Sequence, residues 1–211
     1  MNIVYITCGI VLAYLIGSIP TAVLVSKTFF HMDIRQHGSG NAGATNIVRV
    51  LGWKAGIPVM VVDVVKGWFA IWMGTRLFGH AVDPSGLEYF RIGMALAAVL
   101  GHVYPLFAGF RGGKGIATLF GVGIALYPVS IWVAVGIFLL VLFISGYVSL
   151  SSMTAAVSFP FVDHFLFHQQ HPALFCLSMF IGIFVLFTHR KNIKRLIAGE
   201  EKRLLYHSRK K

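Results

Sequence analysis

Apolar and polar positions alternate along this chain in blocks rather than residue by residue. Residues 1–26 carry no charge, and as a helix they reach about 39 Å, more than the ~30 Å hydrocarbon core of a bilayer. That block predicts a spanning helix. Its first positive residue, Lys27, follows the apolar stretch, whereas a secretory leader carries its basic residues in front. The amino terminus is therefore expected outside. Between Lys27 and Lys54 the chain turns polar, with His31, Arg35, His37, Arg49 and several glycines, and reads as an inside loop. A second span is expected over about 55–75, with Asp63 and Lys66 three apart on one helical face. Residues 76–91 hold Arg76, Asp83, Glu88, Arg91, Pro84 and Gly86, an outside loop, and 92–110 is a third span that ends inside at Arg111 and Lys114.

From Gly115 to Val162 there is neither a charge nor a histidine, roughly twice the length of one pass. Breaks at Tyr127-Pro128 and at the SGYVSLSS run of 145–152 divide it into about 115–127, 128–146 and 150–166. A last apolar run, 173–188, leads to the basic tail 190–211. Parity supports this division: with the 111–114 loop and the tail both inside, an even number of crossings must lie between them. The expectation is an all-α polytopic membrane protein, 1–211 as one domain, with seven transmembrane helices, its amino terminus outside and its carboxyl terminus cytoplasmic. Five spans are the alternative if two short segments only dip into the bilayer.

Composition narrows the class further. The chain is 57% apolar and 12% charged with mean hydropathy +0.78, which excludes disorder and an ordinary soluble domain. Its formal charge of +11 suits nucleic acid or a membrane, but half of the basic residues follow His189 and most others fall in inside loops. That is positive-inside patterning, and no nucleic-acid partner is expected. Cys8 and Cys176 lie in apolar runs without CxxC spacing and suggest neither a disulfide nor a metal.

Chemistry concentrates on the predicted inside face. In GSGNAGATN, Gly38 to Asn46, glycines let successive backbone N–H groups form an anion nest around Gly40 and Gly43. Ser39, Asn41, Thr45 and Asn46 add polar side chains, and Arg49 adds a planar fork for phosphate oxygens. On the next inside loop Gly112, Gly113 and Gly115 bracket Lys114 at the start of an apolar segment, so amides at a helix amino terminus and an ammonium can share one anion. The strand context and spacing of a Walker A loop are absent. His189 and Asn192 lie one turn apart where the last span emerges, and Ser149 and Ser152 fall on the remaining inside turn. The tail after Arg190 reads as an interfacial helix stopped by Gly199. Asp163, His164, His168 and His171 have metal-like spacing but sit at a predicted outside turn, so no metal site is expected. His102 reads equally as a core histidine or a functional one. Asp63 and Lys66 at bilayer depth favour a pocket-facing or paired role.

Read in order, GSIP, GSGNAGATNIVR, DVVKG, HVYPLFAGFRGGKGIAT, the SLSS turn and HRKNIKRLIAGEE resemble the bacterial acyl-phosphate:glycerol-3-phosphate acyltransferase family from about Gly17 to Glu201. The resemblance implies seven spans and transfer of a fatty acyl group from acyl-phosphate to the 1-hydroxyl of glycerol 3-phosphate. The products would be lysophosphatidic acid and phosphate, at the cytoplasmic face of the bacterial inner membrane and without a cofactor. By the same resemblance Ser39, Arg49, Lys114, His189 and Asn192 line the polar site, Gly43, Thr45 and nearby amides cradle phosphate, membrane lipid surrounds the acyl chain, and a soluble acyl-phosphate-forming enzyme works upstream. No histidine has an aspartate five positions later and no GxSxG elbow is present, so direct attack without an acyl-enzyme is the expected route. The competing class is a transporter of a phosphorylated metabolite, for which the absent internal repeat and the one-sided polar clusters speak poorly.

Overall fold

The computed structural model describes residues 3–168 and 171–205; the end of the basic tail, 206–211, lies outside them. Among the described residues there are helices and turns and no strand. Two compact units divide between Tyr127 and Pro128.

The first unit contains α1 (Ile3–Gly17), α2 (Thr21–Phe30), α3 (Ala44–Leu51), α4 (Trp53–Phe78), α5 (Leu87–Val103) and α6 (Ile116–Leu126). The opening apolar block is two helices and not one. Pro20 has no N–H to donate and disfavours helical backbone at Ile19, so the chain breaks across Ser18–Pro20. The polar stretch read as loop also contains a helix: α3 buries Ile47 with Val23, Ile34, Ala42, Ala55 and Val59, and Gly52 closes it with φ +84°. That apolar face converts a loop into a seated helix and fixes the loop ahead of it.

Glycines set how closely these helices approach. A Cβ on Gly17 would enter the Ala98 carbonyl and one on Gly101 the Tyr14 carbonyl, where α1 crosses α5. Gly67 against Thr118 and Gly121 against Val64 do the same for α4 and α6. Between helices in lipid there is little hydrophobic driving force, so backbone approach of this kind supplies the packing.

The second unit contains α7 (Ile131–Ser145), α8 (Val148–Phe161), α9 (Pro172–Thr188) and α10 (Arg190–Ile197). Pro160 lies near the end of α8, which passes into a π turn over Val162–Leu166. There Asp163 accepts a 2.6 Å bond from the Ser130 hydroxyl and His164 packs on Phe175 with ring centroids 5.0 Å apart, contacts that hold the fold. Helix α10 turns away from α9 by 60°, and Gly199, at φ +71°, stands just past its end. A helix lies in each expected segment, with Ile116–Leu126 and Ile131–Ser145 as shorter apolar helices. By length and composition, Ile3–Phe30, Trp53–Ala81 and Leu87–Ala108 are long enough to cross a membrane, with α9 and α10 together as a fourth, bent candidate.

Candidate active site

Asn46 organises the first glycine loop. Its Oδ1 accepts from the Ser39 amide at 2.9 Å, and its Nδ2 donates to the carbonyls of Ile34, His37 and Asn41 at 3.2, 3.0 and 3.0 Å. The residue is 2% exposed. Sequence reading places Asn46 among the phosphate ligands; the structure turns its amide inward, where it shapes the loop. Ser39 is exposed, while Thr45 and Arg49 are half-buried on α3. The Asn46 N–H bonds to the Gly43 carbonyl at 3.0 Å, which leaves Ala44 and Thr45 ahead of it as the donors that a helix amino terminus offers an anion.

The second loop differs from expectation in an informative way. Past Pro105 the chain doubles back through left-handed Gly109 and Phe110, and the N–H groups of Gly112 and Gly113 donate to the Val103 and His102 carbonyls, each at 3.2 Å. Those two amides satisfy carbonyls at the end of α5 and are not the phosphate donors the glycine pattern suggested. Gly113 is required for space instead: a Cβ there would meet the His102 ring and lie 3.2 Å from the Ala42 carbonyl. The two glycine loops therefore meet at Gly113. Gly115 opens α6 with φ +86°, a conformation that excludes most side chains. The first amide bonded within α6 is Leu119, to the Gly115 carbonyl at 2.7 Å, so Ile116, Ala117 and Thr118 remain as amino-terminal donors beside Lys114.

Arg35, which sequence reading assigned only to loop charge, ties the loops together. Its guanidinium grips Asp33 at 2.9 and 2.7 Å and donates to the Ala108 carbonyl at 2.8 Å. The side-chain hydrogen bonds from Arg35 hold the Asp33 carboxyl well below the usual carboxylate range. Lysine cannot serve both partners with one planar fork. Arg35→Lys should cost about 1–2 kcal/mol of loop order, read as faster hydrogen exchange over 38–43 and 106–111 and as a rise in KM larger than any fall in kcat.

In the second unit His189 and Asn192 flank the α9–α10 bend. The Val185 carbonyl can only accept, so its 2.8 Å contact with His189 Nδ1 places the proton on that nitrogen and makes Nε2 the basic one in the neutral ring. Asn192 Nδ2 donates to Glu201 Oε1 at 2.7 Å; the Ser149 hydroxyl donates to the same oxygen at 2.9 Å, and Arg195 Nε to Oε2 at 2.7 Å. The Leu204 amide bonds to the Gly146 carbonyl at 2.8 Å, pinning this stretch to the α7–α8 turn. Glu201 is thus a hub that sequence reading missed; the available signal was a buried-type serine turn and an acid within a basic tail. The hydroxyl protons of Ser149 and Ser152 are committed to Glu201 and to the Val148 carbonyl, at 2.9 and 2.8 Å. These two serines stabilise the turn in place of the ligand role expected of them.

Two glycine loops with cationic side chains are carried on helices whose outer faces expose Phe, Leu, Ile and Trp, the surface of an integral membrane protein. The family model described as glycerol-3-phosphate acyltransferase matches residues 7–199. The chain belongs to that family. It is 42% identical to the glycerol-3-phosphate acyltransferase of Chlorobaculum tepidum, over 93% of this chain and 95% of that one, and 41% identical to that of Chlorobium limicola, over 92% and 94%. Its fold is similar to the crystal structure of PlsY (YgiH), an integral membrane glycerol 3-phosphate acyltransferase, in the glycerol 3-phosphate form. The TM-score is 0.83 at 36% identity, with 94% of this chain and 95% of that chain covered. The lysophosphatidic acid form of PlsY matches with a TM-score of 0.79.

Proposed function

We infer that this protein transfers a fatty acyl group from acyl-phosphate to the 1-hydroxyl of glycerol 3-phosphate, giving lysophosphatidic acid and inorganic phosphate. The observation that carries the reading is the meeting of the two glycine loops at Gly113, which sets Lys114 and two helix amino termini within one unit. Both substrates and both products carry phosphate, so a doubled anion site matches the chemistry. Family membership and the names of the relatives support the acceptor; acyl-phosphate as donor follows from the motif resemblance.

The reaction needs no acyl-enzyme. The glycerol hydroxyl attacks the acyl carbon of a mixed anhydride, the new ester C–O bond forms as the acyl–phosphate bond breaks, and the hydroxyl proton passes to a phosphate oxygen. Arg49, Lys114 and the amides of α3 and α6 stabilise the departing phosphate. Ser39, Asn41 and Thr45 orient phosphate oxygens in the first unit. In the second unit, His189 and Asn192 are substrate-site residues by the motif resemblance, with His189 Nε2 as the rival base. The positive-inside pattern and the parity of the spans support seven crossings, an outside amino terminus and a site at the cytoplasmic face of a bacterial inner membrane.

The test is lysophosphatidic acid formation by purified protein in detergent, given glycerol 3-phosphate with either palmitoyl-phosphate or palmitoyl-coenzyme A. Turnover with palmitoyl-phosphate alone is expected. Turnover with the coenzyme A ester alone overturns the donor. A folded protein inert to both, yet able to carry labelled glycerol 3-phosphate into proteoliposomes, is a transporter.

A further inference from the structure

Among the described residues, three buried acidic or basic side chains of the first unit lie outside the glycine loops. Asp63 and Lys66 on α4 and His102 near the end of α5 are 1%, 5% and 6% exposed. Lys66 Nζ stands 2.7 Å from Asp63 Oδ1 and donates to the Ile19 carbonyl at 2.9 Å, at the break between α1 and α2. His102 Nδ1 faces the same Asp63 oxygen at 3.7 Å. The opposite edge of the ring, Nε2 and Cδ2, fills the space beside Gly113 that a side chain would need, and the His102 carbonyl accepts the Gly113 amide. Lys114 is the next residue.

A buried ion pair is weak evidence of stabilisation, because desolvation offsets the attraction, and ionisable groups at bilayer depth commonly mark function. We propose that Asp63, Lys66 and His102 form a buried positioning relay that sets the Gly112–Lys114 loop, and with it the Lys114 ammonium, for binding substrate phosphate. Lys66 anchors the relay to the helix break, Asp63 orients the imidazole, and the imidazole is the floor on which Gly113 rests. None of the three touches substrate; each acts through the loop. The role of the loop itself rests on the proposed function above.

The relay is tested with purified His102→Gln, His102→Asn and the double variant Asp63→Asn with Lys66→Met, which removes both charges together. Glutamine reaches the Nε2 position beside Gly113, whereas asparagine reaches only the Nδ1 position facing Asp63. Thermal midpoints report the fold. Inorganic phosphate binding, followed by phosphorus NMR line broadening, reports the loop without turnover, and KM and kcat for glycerol 3-phosphate and palmitoyl-phosphate report its use. The expected result is folded protein in which phosphate binding and kcat/KM fall at least about tenfold in His102→Asn and in the double variant, with partial rescue in His102→Gln. Wild-type phosphate binding and kinetics in folded variants overturn the relay, as does failure of all three to fold, since the cluster then only holds the helices together. If the wild-type protein itself does not turn over, the proposed reaction fails instead, while the phosphate measurement still judges the relay.

Discussion

Lys114→Ala should leave a folded protein that turns over about a hundred to a thousandfold more slowly with palmitoyl-phosphate, the loss seen when one preorganised donor to a developing charge is removed. The cause is local. Gly113 and Gly115 hold the residue between them on a backbone that no ordinary side chain tolerates at either point, by contact at one and by φ at the other. The amides of Gly112 and Gly113 are used at the end of α5, so in the proposed reaction only the ammonium and the first turn of α6 are left to bear the phosphate charge. Truncation to alanine removes the ammonium without disturbing either glycine, and its effect should fall on kcat/KM with little change in thermal midpoint. Lys114→Arg keeps the charge but presents a wider planar group, so activity between the two is expected. Equal turnover of wild type and Lys114→Ala would remove the loop from the mechanism.

What was legible in the sequence follows from which forces act locally. Helices at the apolar blocks were legible because block length and charge placement report membrane solvation directly, and even the short α6 was visible between Gly115 and Tyr127-Pro128. The break at Pro20 was not, since an uncharged run masks it unless the proline is weighed against the run's length. Chemistry was legible by residue type and only partly by role. Asn46, Gly112 and Gly113 belong to the glycine loops, but their hydrogen bonds close those loops internally, and this depends on where the chain doubles back. Arg35 and Glu201 were missed for a related reason: each looks like solvated loop charge until a distant carbonyl or hydroxyl, Ala108 for one and Ser149 for the other, is brought beside it. His102 reads equally as core or functional residue from the sequence, and only its position between Asp63 and Gly113 gives it a task.

Glu201→Ala should cost about 2–4 kcal/mol, the largest stability loss expected of any tail substitution, because one buried carboxylate serves three donors. Removing it strands Asn192 Nδ2 and the Ser149 hydroxyl in a buried setting and releases Arg195, so the stretch from α10 to Leu204 loses its hold on the α7–α8 turn. Glu201→Gln keeps an oxygen for Asn192 and Ser149 and loses chiefly the Arg195 pair; about half the cost is expected. The same hub gives acid sensitivity a sign. Burial pushes the Glu201 carboxyl up, but the bonds from Arg195, Asn192 and Ser149 together outweigh it and leave the group below the usual carboxylate range. A carboxyl depressed in the folded state contributes its full stabilisation above the unfolded value, roughly pH 4.3 for glutamate, and loses it as pH falls toward the folded one. Thermal midpoints measured downward from pH 6 should therefore drop in wild type below about pH 5, and the drop should be smaller in Glu201→Gln, with Asp33 accounting for part of what remains. An identical acid profile in the two proteins would mean that the carboxylate is not the group that ties the tail to the second unit.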